Sequence, residues 1–174
     1  MRLEKVKIPR VWADEYFYES EIIPVTGIVP PLGVTLTPDT IITGDATVAV
    51  ASCTFIGLGL VQVEYIVQEE LTVETPGEDS FPLEYTFRFT RDYQFQKFFV
   101  PGDVLGFLYC EVFRFVGTVT ITDIVVNEVA NTLSFNNTVS LQTKLKALED
   151  IQEFVALGTL PNVFTFPVTV VTAD

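Results

Sequence analysis

Histidine is absent from the 174-residue sequence. That one absence removes Ser-His-Asp and Cys-His catalysis, imidazole metal ligands and imidazole proton shuttles together. Cysteine is nearly absent: Cys53 and Cys110 are the two present, and they form neither a CxxC redox pair nor a zinc-ligand set. Two buried free thiols and one disulfide both stay open, since spacing along the chain does not fix a distance in the fold. Basic side chains are scarce, 10 Lys and Arg against 23 Asp and Glu, for a formal net charge of −13. Nucleic acid and anionic membrane surfaces both need cations to bind them, so neither is an expected partner.

Long apolar runs are missing too. Gly, Pro or a charge interrupts each run before the ~18 residues that a membrane helix requires, and no membrane insertion is expected. No GxGxxG opens a helix and no P-loop occurs, so nucleotide chemistry lacks a phosphate cradle. Gly57-Leu58-Gly59 reads instead as a bulge or bend within a strand. No cofactor and no metal is assigned.

What the chain does have is apolar mass. The 48% hydrophobic content, with 15 Phe and 6 Tyr, is enough for one folded domain, and a chain of this length buries roughly 70% of its unfolded surface.

The opening, MRLEKVKIPRVWADEYFYES, concentrates the basic charge: Arg2, Lys5, Lys7 and Arg10 against Glu4 make residues 1–10 net +3 and leave −16 on the remainder. Its cations alternate with Val6, Ile8 and Val11 rather than preceding an apolar core, so it is not read as a secretory signal peptide. Nor has it the composition of a disordered tail, because Trp12, Tyr16, Phe17 and Tyr18 are costly to leave in water. Residues 1–19 are therefore expected to be an extended arm, restricted by Pro9 to a sheet edge. Residues 20–174 are expected to be a single β-domain. The candidate subunit-contact residues are Arg2, Val6, Ile8, Val11, Trp12, Tyr16, Phe17 and Tyr18.

The body alternates. In residues 61–74, Val61, Val63, Tyr65, Val67, Leu71 and Val73 share odd parity while Gln62, Glu64, Gln68, Glu70, Thr72 and Glu74 face the other way, the pattern of a strand with one dry face. The pattern resumes after the turn signal TPGEDS with Tyr85, Phe87, Phe89, Tyr93 and Phe95. A long hairpin with Thr75–Ser80 as its loop is expected, with Arg91 and Lys97 as interruptions of the apolar face. Beyond the turn at residues 101–103, Phe113, Phe115, Val119 and Ile121 alternate across Gly117, and Leu133, Phe135, Val139, Leu141 and Leu145 form another such run. IIPVTGIV, TIITGDATVAVASCTFIGL and NVFTFPVTVVT add further β-branched stretches. The expected fold is all-β, an antiparallel sandwich of jelly-roll type with about seven to nine strands.

One segment departs from this. In residues 144–158, Leu145, Leu148, Ile151, Phe154 and Val155 share a helical face and Gly158 can stop the turn, which predicts a short helix over 145–157. Continued strand is the rival, because Leu145, Ile151, Val155 and Leu157 also share odd parity.

Softer chemical candidates are acidic. Asp39, Asp45, Glu78, Asp79 and Asp103 fall in turn-rich stretches where a calcium ion could be held, though without EF-hand spacing. Glu64, Glu70 and Glu74 read as a solvated face rather than a glycosidase pair. Asn136-Asn137-Thr138 matches a glycosylation acceptor, a pattern frequent by chance.

Taken in order, KVKIPRVWADEY, then GLVQVEYIVQEELTVET, then SFPLEYTFRF and FFVPGD resemble the SPOCS domain, a β-domain of proteins involved in spore coat assembly in endospore-forming bacteria. The resemblance spans roughly residues 5 to 145 and brings no catalytic residues; the LysM module that often accompanies such domains is not visible here. It implies a structural role at a spore surface. Together these readings point to a non-enzymatic protein that self-associates into a surface layer or filament at a cell or spore surface, its basic arm docking on the acidic body of another copy. The other classes are a ligand-binding module for carbohydrate or calcium, marked by exposed aromatics on one face, and a viral capsid or tail protein.

Overall fold

The computed structural model describes residues 2–102 and 105–157, with side chains described from 7 to 102 and from 106 to 151. It is nearly all β. Strands β1 (Arg2–Ile28), β2 (Ile41–Gly57), β3 (Leu60–Glu74), β4 (Phe81–Gln94), β5 (Leu108–Asn127) and β6 (Thr132–Leu157) are joined by turns and one 3-10 turn at Leu105–Phe107. They form two three-stranded sheets, β1-β6-β5 and β2-β3-β4, with antiparallel β2/β3, β3/β4 and β5/β6 pairs.

Six strands among the described residues replace the expected seven to nine. IIPVTGIV is the end of β1 and not a strand of its own, while NVFTFPVTVVT lies outside the described residues. Contacts divide the chain into two compact units: Val11–Glu149, and a smaller one joining the described parts of residues 1–10 and of the chain from 150 onward. In the smaller unit Lys7 pairs with Asp150 at 3.7 Å.

The β3/β4 hairpin follows from its turn chemistry. Thr75 C=O accepts from Glu78 N–H at 3.1 Å, with Pro76 fixing φ at the second position and Gly77 taking φ +82° at the third, the requirements of a type II turn. The Gly57-Leu58-Gly59 stretch is not a bulge or bend inside one strand, as its glycines led us to expect. Gly57 pairs with Leu60 across a two-residue connection between β2 and β3, and Gly59 supplies the positive φ, +67°, that so tight a reversal needs.

The helix expected over 145–157 is strand, the last part of β6. Its backbone is committed to a ladder, Leu145 opposite Val112, Ala147 opposite Cys110 and Glu149 opposite Leu108, and Leu145 and Ala147 are buried while Lys144 and Lys146 point outward. Leu148 is buried as well, which is why the same letters also fit a helical face.

Inward residues of both sheets fill two apolar clusters. One gathers Ala13 of β1, Val61, Val63, Tyr65 and Val67 of β3, Tyr93 of β4, and Val139, Leu141, Leu145 and Ala147 of β6. The other holds Ile28, Leu36, Leu71, Val73, Phe81, Leu133 and Phe135. Leu36 brings the 29–40 connection into this second cluster, where Asn131 clamps it by accepting from Leu36 N–H at 2.9 Å and donating to Val34 C=O at 3.0 Å. Cys53 of β2 and Cys110 of β5 are joined by a disulfide, Cα–Cα 5.6 Å, so a covalent bond links an edge strand of one sheet to an edge strand of the other.

Candidate functional site: two unlike outer faces and a polar interior

The arm residues divide by parity. Arg2 and Val6 lie in β1 with side chains outside the described set; Ile8 and Val11 are exposed; Trp12 is half-buried and donates its indole N–H to Glu149 at 3.0 Å. Phe17 points inward and packs 4.8 Å from the Tyr93 ring, whereas Tyr16 and Tyr18 point outward and stack on each other at 6.3 Å. β1 runs unbroken through residues 19 and 20 and is hydrogen-bonded beside β6 of the same chain, at a sheet edge.

On the outer side of the β1-β6-β5 sheet the two tyrosines continue into an aromatic and cationic strip. Tyr18 Oη accepts from Gln142 at 3.2 Å. The Lys144 ammonium lies 5.1 Å from the Tyr16 ring and 5.3 Å from that of Phe113, and pairs with Asp14 at 3.1 Å. Lys146 sits 3.3 Å over Phe113, so each cation is held against a π face. Val116 and Tyr109 extend the exposed strip along β5.

Phe113 belongs to this strip because of a bulge. Parity alone puts it inside with Phe115, but the β5 register shifts between Val112 and Arg114, and the extra residue is turned out to 51% exposure. Cys110 and Val112 face inward before the shift, Phe115, Val119 and Ile121 after it. The shift also sets Arg114 directly opposite Lys144.

The outer side of the β2-β3-β4 sheet is acidic. Register places Asp45 opposite Glu70 and Glu70 opposite Glu84, three carboxylates in one row across three strands. Glu64, Glu74 and Asp92 share this face, and Arg88, 3.3 Å from Glu64, is its one basic residue.

The interior holds polar groups that alternation did not announce. Arg91 keeps its place in β4, opposite Val63, and pairs with Glu19 at 3.3 Å and with Glu21, both on the inward side of β1. Glu15, also inward, accepts from the backbone N–H groups of Gln96 and Lys97 at 3.0 and 2.9 Å. Lys97 itself lies past the end of β4. The hydroxyls of Tyr65 and Tyr93 are 2.8 Å apart, and Tyr65 is also 2.8 Å from the Thr143 hydroxyl; burial pushes both phenols above their ordinary value. Glu69, at an odd position of β3, is 1% exposed and accepts from Asn137 at 2.9 Å. Burial raises its carboxyl too. Parity was the signal available for Glu69, since it shares the register of Val67 and Leu71.

The acidic turns do not converge. Asp39, Glu78 and Asp79 line one open groove with Glu74, of about 500 Å³; Asp45 is in β2 and Asp103 lies outside the described residues. Among the described residues no three Cys, Asp or Glu side chains form a metal-holding set. Asn136 donates to Asp123 at 3.0 Å from within β6. No protein family, curated protein or solved structure matches this chain.

Proposed function

We propose that this chain is a non-enzymatic β-sandwich that self-associates, building a layer or filament at a cell or spore surface. The sandwich reading rests on the shared apolar clusters and on the disulfide from β2 to β5. The observation that carries the functional reading is the exposed strip of Tyr16, Tyr18, Phe113 and Val116 on a rigid sheet. A contiguous apolar surface on a chain this acidic is an interaction surface more often than a casual one, and aromatic side chains are enriched where proteins meet. The free edge of β1 offers a second contact for a neighbouring copy, through strand addition. Sedimentation velocity over a concentration series, with electron microscopy at the top of the range, tests this. Concentration-dependent species far above the 19.4 kDa chain are expected; a monomer throughout would overturn the reading.

A second reading, carbohydrate binding, draws on one specific feature. Tyr16 and Tyr18 stack at 22° beside an open groove of about 500 Å³ lined by Tyr18, Ser140 and Gln142, an aromatic platform next to hydrogen-bonding side chains. Retention on polysaccharide matrices, lost in Tyr16→Ala/Tyr18→Ala, would favour it.

A further inference from the structure

We infer that the partner of the aromatic and cationic face is the acidic face of the next copy, so that subunits stack head to tail with the β1-β6-β5 sheet of one on the β2-β3-β4 sheet of another. This inference rests on the self-association reading and specifies its interface.

Three observations carry it. The two outer faces are unlike: on one, Lys144, Lys146 and Arg114 cluster at the aromatic strip and are balanced by Asp14, Glu111 and Asp123, while six carboxylates meet only Arg88 on the other. Each face also contains like charges in direct cross-strand register, Arg114 opposite Lys144 on the first and Asp45, Glu70 and Glu84 in a row on the second. Like charges so placed destabilise an isolated sheet, and a surface of opposite sign laid over them relieves both rows at once. Finally, the aromatic component is on one side only, although Ile41, Ile56 and Ile66 lie on the acidic face as well. Tyr16, Tyr18, Phe113 and Val116 flank the cations, whereas the acidic face carries mainly Thr and Gln between its carboxylates. Two acidic faces repel each other, so a two-fold dimer through that face is disfavoured. A contact between unlike faces is heterologous, and a heterologous contact that does not close on itself continues as a fibre or sheet.

The test uses two charge-reversed full-length variants, Lys144→Glu/Lys146→Glu and Glu70→Lys/Glu84→Lys, alone and mixed in equal amounts, in the sedimentation series described above. Each variant alone sets like charges against each other at the centre of the contact, the introduced glutamates against the carboxylate row or the introduced lysines against Lys144 and Lys146, and is expected to weaken association at least about tenfold. The mixture has complementary pairs again at every junction, and co-assembly should return. If wild-type protein associates and both variants associate equally well, the face-to-face contact is wrong while self-association stands, with the β1 edge as the remaining contact. If wild-type protein stays monomeric, the self-association reading fails first. Far-UV circular dichroism verifies that the variants fold, and the milder Lys144→Gln/Lys146→Gln and Glu70→Gln/Glu84→Gln pairs serve if a reversal does not. Each of these should weaken association alone, and mixing should restore one wild-type junction per mixed pair, giving dimers rather than long assemblies; unchanged association would overturn the contact equally.

Discussion

Asn137 holds Glu69 in the interior with a single hydrogen bond, its amide N–H donating to Glu69 Oε2 at 2.9 Å, and this pair lies where the two apolar clusters divide. Val67 and Val139 belong to one cluster, Leu71 and Phe135 to the other. Glu69 Oε1 and Asn137 Oδ1 are both buried without a donor. A proton on Glu69 supplies what the two oxygens lack, because a neutral carboxyl can donate to the amide carbonyl while still accepting from the amide N–H.

Stability is therefore expected to depend on the ionisation of Glu69. Its folded-state pKa is raised above 4.5 by burial, so the contribution is full below the unfolded value and is lost as pH rises through the folded one. Glu69→Gln mimics the protonated acid and should remove that dependence, raising stability at neutral pH by about 1–3 kcal/mol. Denaturant titrations from pH 4 to pH 8 check it. A variant less stable than wild type at pH 8 would show that the ionised form is the one the fold prefers.

The Tyr65, Tyr93 and Thr143 hydroxyls make a second prediction. Tyr65→Phe strips Tyr93 and Thr143 of their shared partner and should cost about 1–2 kcal/mol with no change in the β signature. Burial pushes Tyr65, Tyr93 and Tyr85 above 10.0, the Glu69 charge adding to the effect at Tyr85. In an ultraviolet alkaline titration these three should ionise late, and stability should fall as the pH rises through their folded values. A single transition at the ordinary phenol value in folded protein would contradict it.

Reduction of the Cys53–Cys110 bond, which spans 57 residues, frees the unfolded chain of a large loop. The double variant Cys53→Ala/Cys110→Ala should lose about 4 kcal/mol by the loop-entropy relation, read as a lower denaturation midpoint. Equal midpoints with and without reductant would mean that the bond adds nothing to the fold.

Arg91→Leu restores apolar alternation to β4 yet leaves Glu19 and Glu21 adjacent without their common cation. Because all three side chains are partly exposed, at 28%, 36% and 33%, the expected loss is a modest ~1 kcal/mol. Arg91→Leu combined with Glu19→Gln and Glu21→Gln should recover it, in the same denaturant assay.

Much of the architecture was legible from period-two alternation. The β3/β4 hairpin, its Thr75–Ser80 loop and the buried register of Leu133 to Leu145 follow from it because each strand buries only one side. The helix over 145–157 was misread for a definite reason: Leu145 and Leu148 satisfy both periods, and the deciding factor, a ladder to Val112 and Cys110, is a long-range pairing that local letters do not contain. Phe113 was misplaced by a bulge, which leaves no mark in composition. Of the arm's expected contact residues, Tyr16 and Tyr18 face outward and Phe17 faces inward. Lys144, Lys146 and Phe113, which complete the strip, come from elsewhere in the chain and could be joined to it only by register. Arg91 was visible as an interruption, but its partners were not, since Glu19 and Glu21 sit in a segment expected to be partly an arm.

The β5 bulge has a reach beyond its own strand. One supernumerary residue between Val112 and Arg114 is all that separates a surface with an aromatic ring under two lysines from a surface without one. Excision of Phe113 would leave every other side chain of β5 on the inward or outward side it already occupies. Chain length at one point thus decides whether this face carries the Phe113 ring, and a single-codon deletion can remove it while the inward alternation of β5 remains intact.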